Sequence, residues 1–205
     1  MIVSPKKINN GTHIEADICI IGAGPAGISM ALELQETGKK IVILTGGAYR
    51  ETTSSKDLNK GLVFPEGSHE PLEKKRRRAF GGASIAWGGR CMPFDEIDFL
   101  KRDWIPYSGW PFSYNCIKKH YERAMQLCKA GSLTFDTNTA FSGDVREIID
   151  GIDNENITSK KLERWSTPVN FAKEYRSELN NAKNIKVLLE ANLTRINTEF
   201  EKESI

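Results

Sequence analysis

Three glycines, Gly22, Gly24 and Gly27, form a G-x-G-x-x-G pattern directly after a short apolar run at residues 17–21. Between a strand and a helix, this spacing binds the pyrophosphate of a dinucleotide. The first glycine makes the tight turn, the second lets the backbone approach the phosphates, and the third lets the helix pack on the strand. The sequence therefore predicts a dinucleotide-binding turn.

The elements around these glycines have the order that such a turn requires. The run at residues 17–21 is typical of a strand buried on both faces. Pro25 and Ala26 begin an amphipathic helix that we expect to reach Glu36, with its N–H groups facing the phosphates, before Gly38 ends it. A second strand at residues 41–44 completes a βαβ unit. We predict an α/β, Rossmann-like domain with a parallel sheet and a loop-rich insertion.

The residue after the second strand departs from the usual pattern. An acidic residue normally stands there and accepts hydrogen bonds from the adenosine ribose, but this chain has Thr45. A hydroxyl accepts fewer bonds than a carboxylate. Arg50, five residues on, is a candidate for binding a 2′-phosphate. The first motif alone thus leaves FAD, NAD and NADP open.

A second glycine-rich segment, F-G-G-A-S-I-A-W-G-G-R, spans Phe80 to Arg90. A polar excursion at residues 51–73, broken by glycines and prolines, separates it from the second strand. The basic run K-K-R-R-R at residues 74–78 leads directly into it. We expect Arg78 to lie near a phosphate of the bound dinucleotide, the alternative being a solvated face.

Composition excludes several classes of protein. Lys and Arg number 29 against 27 Asp and Glu, and the sequence has no nucleic-acid-binding motif, so no nucleic-acid partner is expected. The N-terminus lacks the apolar stretch of a signal peptide, and no run is long enough to span a membrane, which predicts a cytoplasmic protein. The four cysteines show no metal-ligand spacing, and Cys19 is predicted to be buried in the first strand.

Further along the chain, aromatic residues are frequent between residues 87 and 114, and we interpret them as packing residues. Ser113 is a candidate N-cap for a helix from Tyr114 to Leu127. A surface insertion is predicted over residues 131–180, with one short helix at 145–149 and another helix ending at 177–181. A strand at 185–189 and a second extended stretch at 194–200 follow.

Four segments together resemble the glucose-methanol-choline oxidoreductases, in particular the branch with pyranose oxidase and sugar dehydrogenases. They are residues 17–27, the R-A-F-G-G-A-S-I-A-W-G-G-R segment at 78–90, M-P-F-D-E-I-D-F at 92–99, and D-W-I-P-Y-S-G-W-P-F-S at 103–113. The resemblance resumes at 185–197. It implies FAD as the cofactor, bound by a Rossmann-like domain that comprises the N-terminal portion of the family fold.

The same resemblance assigns roles to particular residues. Gly81, Gly82, Ala83 and Ser84 occupy the segment that runs along the flavin. Leu193 takes the place of a backbone group that contacts the adenine. These join the cofactor-binding residues that the first motif and the basic run provide, namely Gly22, Gly24, Pro25, Ala26, Gly27, Thr45 and Arg78.

The resemblance further implies hydride transfer from the CH–OH group of an alcohol or sugar to the flavin, with an electron acceptor to reoxidise it. The family's catalytic histidine region and substrate domain have no counterpart in these 205 residues. We therefore expect an incomplete FAD-binding domain with an open sheet edge. Two alternatives are a non-catalytic flavin-binding module and an NADP-binding Rossmann dehydrogenase.

Ala86 generates a first prediction. In the pyranose oxidase pattern this position holds a histidine that bonds covalently to the flavin in some members, and alanine has no atom that could form the bond. We expect acid precipitation of the flavin-loaded protein to leave all flavin absorbance in the supernatant. Flavin that stays with the precipitated polypeptide would contradict non-covalent binding.

Overall fold

The computed structural model describes residues 1–143, 145–155 and 157–198, which divide into two compact units. The first unit contains Met1–Ala86 and the chain from Asn170 onward, and the second contains Trp87–Val169. The strands are β1 (Ile2–Val3), β2 (Ile18–Ile21), β3 (Ile41–Leu44), β4 (Arg90–Cys91), β5 (Arg164–Trp165) and β6 (Ile185–Leu188). The helices are α1 (Pro25–Glu33), α2 (Thr53–Asp57), α3 (Leu72–Lys75), α4 (Tyr114–Lys118), α5 (Tyr121–Cys128), α6 (Thr137–Ala140), α7 (Phe171–Glu174) and α8 (Arg176–Asn181).

A parallel sheet forms the centre of the first unit, with the strand order β1-β6-β3-β2. Ile43 of β3 lies opposite Ile20 on one side and Val187 on the other, and both Ile43 and Val187 are fully buried. Because all strands run the same way, their carboxyl ends share one edge of the sheet. The predicted α/β class with a parallel sheet is confirmed.

The first βαβ unit forms where the sequence predicts it. Strand β2 leads through the glycine turn into α1, and β3 returns parallel to β2. The helix keeps α geometry only to Glu33, after which a 3-10 turn at Gln35–Thr37 carries the chain to Gly38 at φ +71°. The predicted helix end at Glu36 is thus replaced by a tighter last turn, which is common at helix C-termini.

Strand β2 corrects the expectation that the first strand is buried on both faces. Ile20 is buried, but Cys19 is exposed and Ile21 is 57% exposed. Within the described residues β2 pairs with β3 alone and lies at the edge of the sheet. Side chains alternate between faces along a strand, so Cys19 and Ile21 share the uncovered face. Cys19 is therefore not the buried residue that the apolar pattern predicts.

Residues 51–73, which the sequence predicts only as a polar excursion, contain α2 and the start of α3. A capping box begins α2, in which the Thr52 side chain accepts from the Ser55 N–H while the Ser55 hydroxyl oxygen accepts from the Thr52 N–H. This reciprocal pair satisfies two N–H groups that a helix start leaves unpaired. Because the third helical position holds serine and not the usual Glu or Gln, the sequence does not show the common capping-box pattern.

Several predicted elements after residue 113 differ from those observed. The expected helix at 114–127 is divided into α4 and α5 by Lys119 and His120, and Ser113 precedes α4 without a side-chain cap. Residues 145–149 are not helical, whereas α6 forms upstream of them. No strand forms at 194–198, and residues 199–200 of that expected stretch lie outside the described residues.

Helices α7 and α8 belong to the first unit, although they fall within the insertion that we predict at 131–180. Helix α8 packs beside β6, and its Leu179 is fully buried. The end of the insertion at residue 180 stays a prediction, but residues 170–181 contribute to the core of the first unit.

Five of the expected aromatic residues form a cluster in the second unit: Phe94, Phe99, Trp110, Phe112 and Tyr114. Phe99 lies at its centre and is buried, but Trp110 is 52% exposed. Trp104 and Tyr107 are still more exposed, which corrects the prediction that they serve as packing residues. Trp87 instead donates its indole N–H to the Val169 carbonyl at 2.8 Å.

Two cysteines that have no recognisable partner in the sequence meet in the second unit. Cys91 ends β4, where its thiol donates to the Gly89 carbonyl at 3.5 Å, and it lies near Cys128 at the end of α5. Burial and the neighbouring Cys91 thiol raise the pKa of Cys128 to about 11, because both disfavour the thiolate.

Thiol labelling tests this raised pKa. The thiolate is the nucleophile, and at pH 8 only about a thousandth of Cys128 would be ionised, three units below its pKa. We expect iodoacetamide to label exposed Cys19 and Cys116 well before Cys128 in the folded protein, and the Cys128 rate to climb steadily towards pH 11. Peptide mapping by mass spectrometry measures each site, and a Cys128 rate that levels off by about pH 10, as that of an ordinary thiol does, would contradict the raised pKa.

Candidate dinucleotide-binding site

The first glycine turn begins where β2 ends. The Gly22 N–H donates to the Leu44 carbonyl of β3 at 2.7 Å, which fixes the turn to the neighbouring strand. A Cβ on Gly27 would overlap the Gly22 carbonyl oxygen and lie 3.2 Å from Ile20 Cγ2. Only glycine at position 27 thus lets α1 lie this close to β2, as the sequence predicts.

Helix α1 presents unpaired N–H groups at its start. Gly24 is the N-cap residue and has no side chain to accept from the first turn, while Pro25 occupies the first turn without an N–H of its own. The first-turn N–H groups of an α-helix have no partner within the helix, and the helix dipole makes that end positive. No acidic residue stands in the first turn. The exposed start at Ala26 therefore suits an anionic group such as a pyrophosphate.

The second glycine segment lies directly on the first. The Gly81 N–H donates to the Ala23 carbonyl at 2.7 Å. A Cβ on Gly82 would lie 2.9 Å from Gly24 Cα, closer than side chains approach backbone, and Gly82 also has φ +52°. The structure thus joins two motifs that are more than fifty residues apart in the sequence.

Ser84 has a structural task in this arrangement. It is buried within the 3-10 turn at Gly82–Ile85, where its hydroxyl donates to the Gly81 carbonyl at 2.6 Å. The same oxygen accepts from the Phe171 N–H at 3.1 Å. The single hydroxyl hydrogen is therefore used within the protein. Ala83 and Ala86 are exposed on the same turn.

The remaining predicted residues lie at the carboxyl ends of β3 and β6. Thr45 is buried, with its N–H donating to Leu188 O at 3.0 Å and its carbonyl accepting from Ala191 N–H at 2.9 Å. Leu193 is 41% exposed in the chain after β6. Because β2, β3 and β6 are parallel, these residues share one sheet edge with the glycine turn.

Arg78 is half-buried, and its guanidinium lies against Gly46, the residue after Thr45: a Cβ on Gly46 would be 2.9 Å from Arg78 Nη1. Arg78 Nε donates to Asn59 Oδ1 and Nη1 to Asn192 Oδ1, both at 3.2 Å. Sequence reasoning did not identify either asparagine. Isolated asparagines carry no spacing signal, and these two lie far from Arg78 in the chain.

The residues present fit an FAD dinucleotide at this edge. Backbone N–H groups lie at the start of α1, and Gly27 and Gly82 pack around the turn where a Cβ would collide with protein backbone. In the part of the chain that the structure describes, no group of three or more His, Cys, Asp or Glu residues could hold a metal ion. Nor does any helix of those residues have the length and apolarity needed to cross a membrane.

Comparisons with known proteins agree with this geometry. Residues 17–56 match a family described as FAD binding domain, which covers β2, α1 and β3. "Probable oxidoreductase OrdL" of Haemophilus influenzae is 61% identical over 118 residues, which are 57% of this chain and 27% of that protein. The chain thus spans about a quarter of this relative's length. The matched family is a general FAD-binding one and not the glucose-methanol-choline family. The chain carries a Rossmann-like segment that binds FAD.

Gly82 offers a direct test of the glycine contact. We expect Gly82→Ala to weaken FAD binding by at least about tenfold, since the added methyl pushes the second segment off the first and about 1.4 kcal/mol of lost binding gives that factor. Flavin fluorescence titration of the apoprotein measures the affinity.

The matched control is Gly67→Ala. Gly67 also has positive φ, +78°, but nothing lies within 4 Å of its would-be Cβ. It reproduces the backbone strain without the clash, so its FAD affinity should stay within about twofold of wild type. Equal losses in the two variants would show that strain, and not the contact with Gly24, is responsible.

Proposed function

We propose that this chain is the FAD-binding portion of an oxidoreductase that removes a hydride from the CH–OH group of an alcohol or sugar, as in the glucose-methanol-choline oxidoreductases. The observation that carries the proposal is the contact of Gly82 with Gly24. The G-G-A-S segment lies directly beside the start of α1, which supports a role for both segments in binding one dinucleotide.

The chain's own residues have three tasks in this proposal. The start of α1 binds the pyrophosphate through N–H groups. Gly81 and Gly82 keep the second segment close enough for a planar ring to lie along the turn. Ser84 holds that turn in shape through its bonds to Gly81 and Phe171, while Ala83 and Ala86 are exposed and have small side chains that leave room for a ligand.

FAD, when bound, supplies the hydride acceptor. Oxidation of R₂CHOH to R₂C=O releases one hydride from carbon and one proton from oxygen, so a base must take the proton. The three histidines of this chain, His13, His69 and His120, are all exposed, and the His69 ring forms a hydrogen bond with the Glu70 carbonyl. None of them is assigned as the base.

The relative's name supports the oxidoreductase part of the proposal, whereas the CH–OH substrate rests on the motif resemblance. The test is anaerobic mixing of the flavin-loaded, full-length native protein with matched pairs of alcohols and amines on the same carbon skeleton. We expect the alcohols and sugars to bleach the oxidised flavin band and the paired amines to leave it unchanged. Substitution of deuterium on the carbinol carbon should slow the bleaching.

The possible outcomes test the substrate class, the catalytic activity and the cofactor separately. Bleaching by amines alone would keep an FAD oxidoreductase and overturn the CH–OH substrate. Stable flavin binding without reduction by any member of the panel would favour a non-catalytic flavin-binding module. A chain that binds NADP but no FAD would overturn the cofactor itself.

A further inference from the structure

The Arg78 guanidinium forms no ion pair with a carboxylate within the residues that the structure describes. Its guanidinium donates to Asn59 Oδ1, Asn192 Oδ1 and, at 3.5 Å, the Leu58 carbonyl, all of which are neutral acceptors. The nearby Glu51 carboxylate accepts from the Arg78 backbone N–H at 3.2 Å and forms its ion pair with Arg77 at 3.3 Å.

The three side-chain bonds use three of the five N–H groups of the guanidinium. Asn59 and Asn192 also hold it from two sides, because Asn59 follows α2 and Asn192 follows β6. The remaining donors are therefore oriented before any ligand arrives. Such preorganisation lowers the entropy cost of binding.

The position of this cation matters as much as its charge. Arg78 Nη1 and Asn192 Oδ1 lie over Gly46, immediately after Thr45 at the carboxyl end of β3. The turn after β6 is bonded to the same place, since Glu190 N–H donates to the Gly47 carbonyl at 3.1 Å. This is the strand end at which a dinucleotide-binding fold binds the adenosine ribose.

The ribose site of this chain therefore offers hydrogen-bond donors and a positive charge, whereas the usual site offers a negatively charged acceptor. A carboxylate there accepts from the ribose hydroxyls and repels a 2′-phosphate, but Thr45 brings no charge and is buried. Arg78 instead brings N–H donors and a positive charge. Arg50, which the sequence suggested for this task, is exposed, and among the described residues it is Arg78 that lies against Gly46.

We propose that Arg78, held by Asn59 and Asn192, binds the 2′ position of an adenosine nucleotide by donation, so that the site prefers a 2′-phosphate to a 2′-hydroxyl and admits 2′-phosphoadenosine nucleotides in competition with FAD. The inference rests on the proposed function only through its FAD site. It requires no catalytic step.

The experiment is calorimetric titration of the apoprotein with adenosine 2′,5′-bisphosphate and with 5′-AMP. An oriented guanidinium on a phosphate forms charge-assisted bonds that a hydroxyl cannot match. We expect the bisphosphate to bind at least about tenfold more tightly than 5′-AMP, a difference of about 1.4 kcal/mol. Adenosine 3′,5′-bisphosphate, which has the same charge at a different position, should show less than half of that gain in free energy. We also expect the 2′,5′-bisphosphate to displace bound FAD.

Arg78→Gln and Arg76→Gln form a matched pair. Both remove one charge from the basic run, but Arg76 is exposed and its side chain is not one of the groups at Gly46. The 2′-phosphate preference should vanish in Arg78→Gln and persist in Arg76→Gln. If Arg78→Gln fails to fold, Arg78→Lys keeps the charge but not the planar fork and should retain only part of the preference.

Equal affinities for the bisphosphate and 5′-AMP in the wild-type chain would overturn the inference without any variant. So would a preference that survives Arg78→Gln, or one that is as large for the 3′,5′-bisphosphate. Failure here with intact FAD binding leaves the proposed function standing. Loss of FAD binding in the wild-type protein removes the proposed function and would be seen in the flavin titration alone.

Discussion

The contact between two glycine backbones, Gly24 at the start of α1 and Gly82 in the second segment, is the constraint on which the site depends. It demands glycine at a position where any Cβ would collide, and the Gly81–Ala23 hydrogen bond holds the two segments together. At this edge of the parallel sheet β2 and β3 end side by side, and the turn after β2 is therefore fixed to β3.

Local signals predict the first βαβ unit well, because its glycine spacing, apolar strands and helix stop all lie within 30 residues and agree with one another. Cys19 shows the limit of the same signals. An apolar run is typical of a buried strand, but whether both faces are covered depends on neighbours far away in the chain. Strand β2 is an edge strand in the described residues, so the alternation of its side chains leaves Cys19 and Ile21 exposed.

The site itself is predicted less completely than the fold. The glycines are recognisable because a backbone conformation restricts the residue type, whereas Asn59 and Asn192 act only through the position of Arg78. No spacing rule connects residues 59, 78 and 192. The role of Ser84 likewise depends on a residue far away in the sequence, because its hydroxyl oxygen accepts from the N–H of Phe171, 87 residues further on.

That last hydrogen bond has a thermodynamic consequence. Ser84 Oγ connects the turn that we propose to lie along the cofactor to the first residue of α7, whose neighbour α8 packs on the sheet. A ligand that binds only the ordered turn must also favour the ordered state of α7, by a free energy that grows with the logarithm of its concentration. In the proposed site, flavin binding and the docking of the helices at residues 171–181 are therefore linked equilibria, so bound flavin would stabilise these helices against local opening.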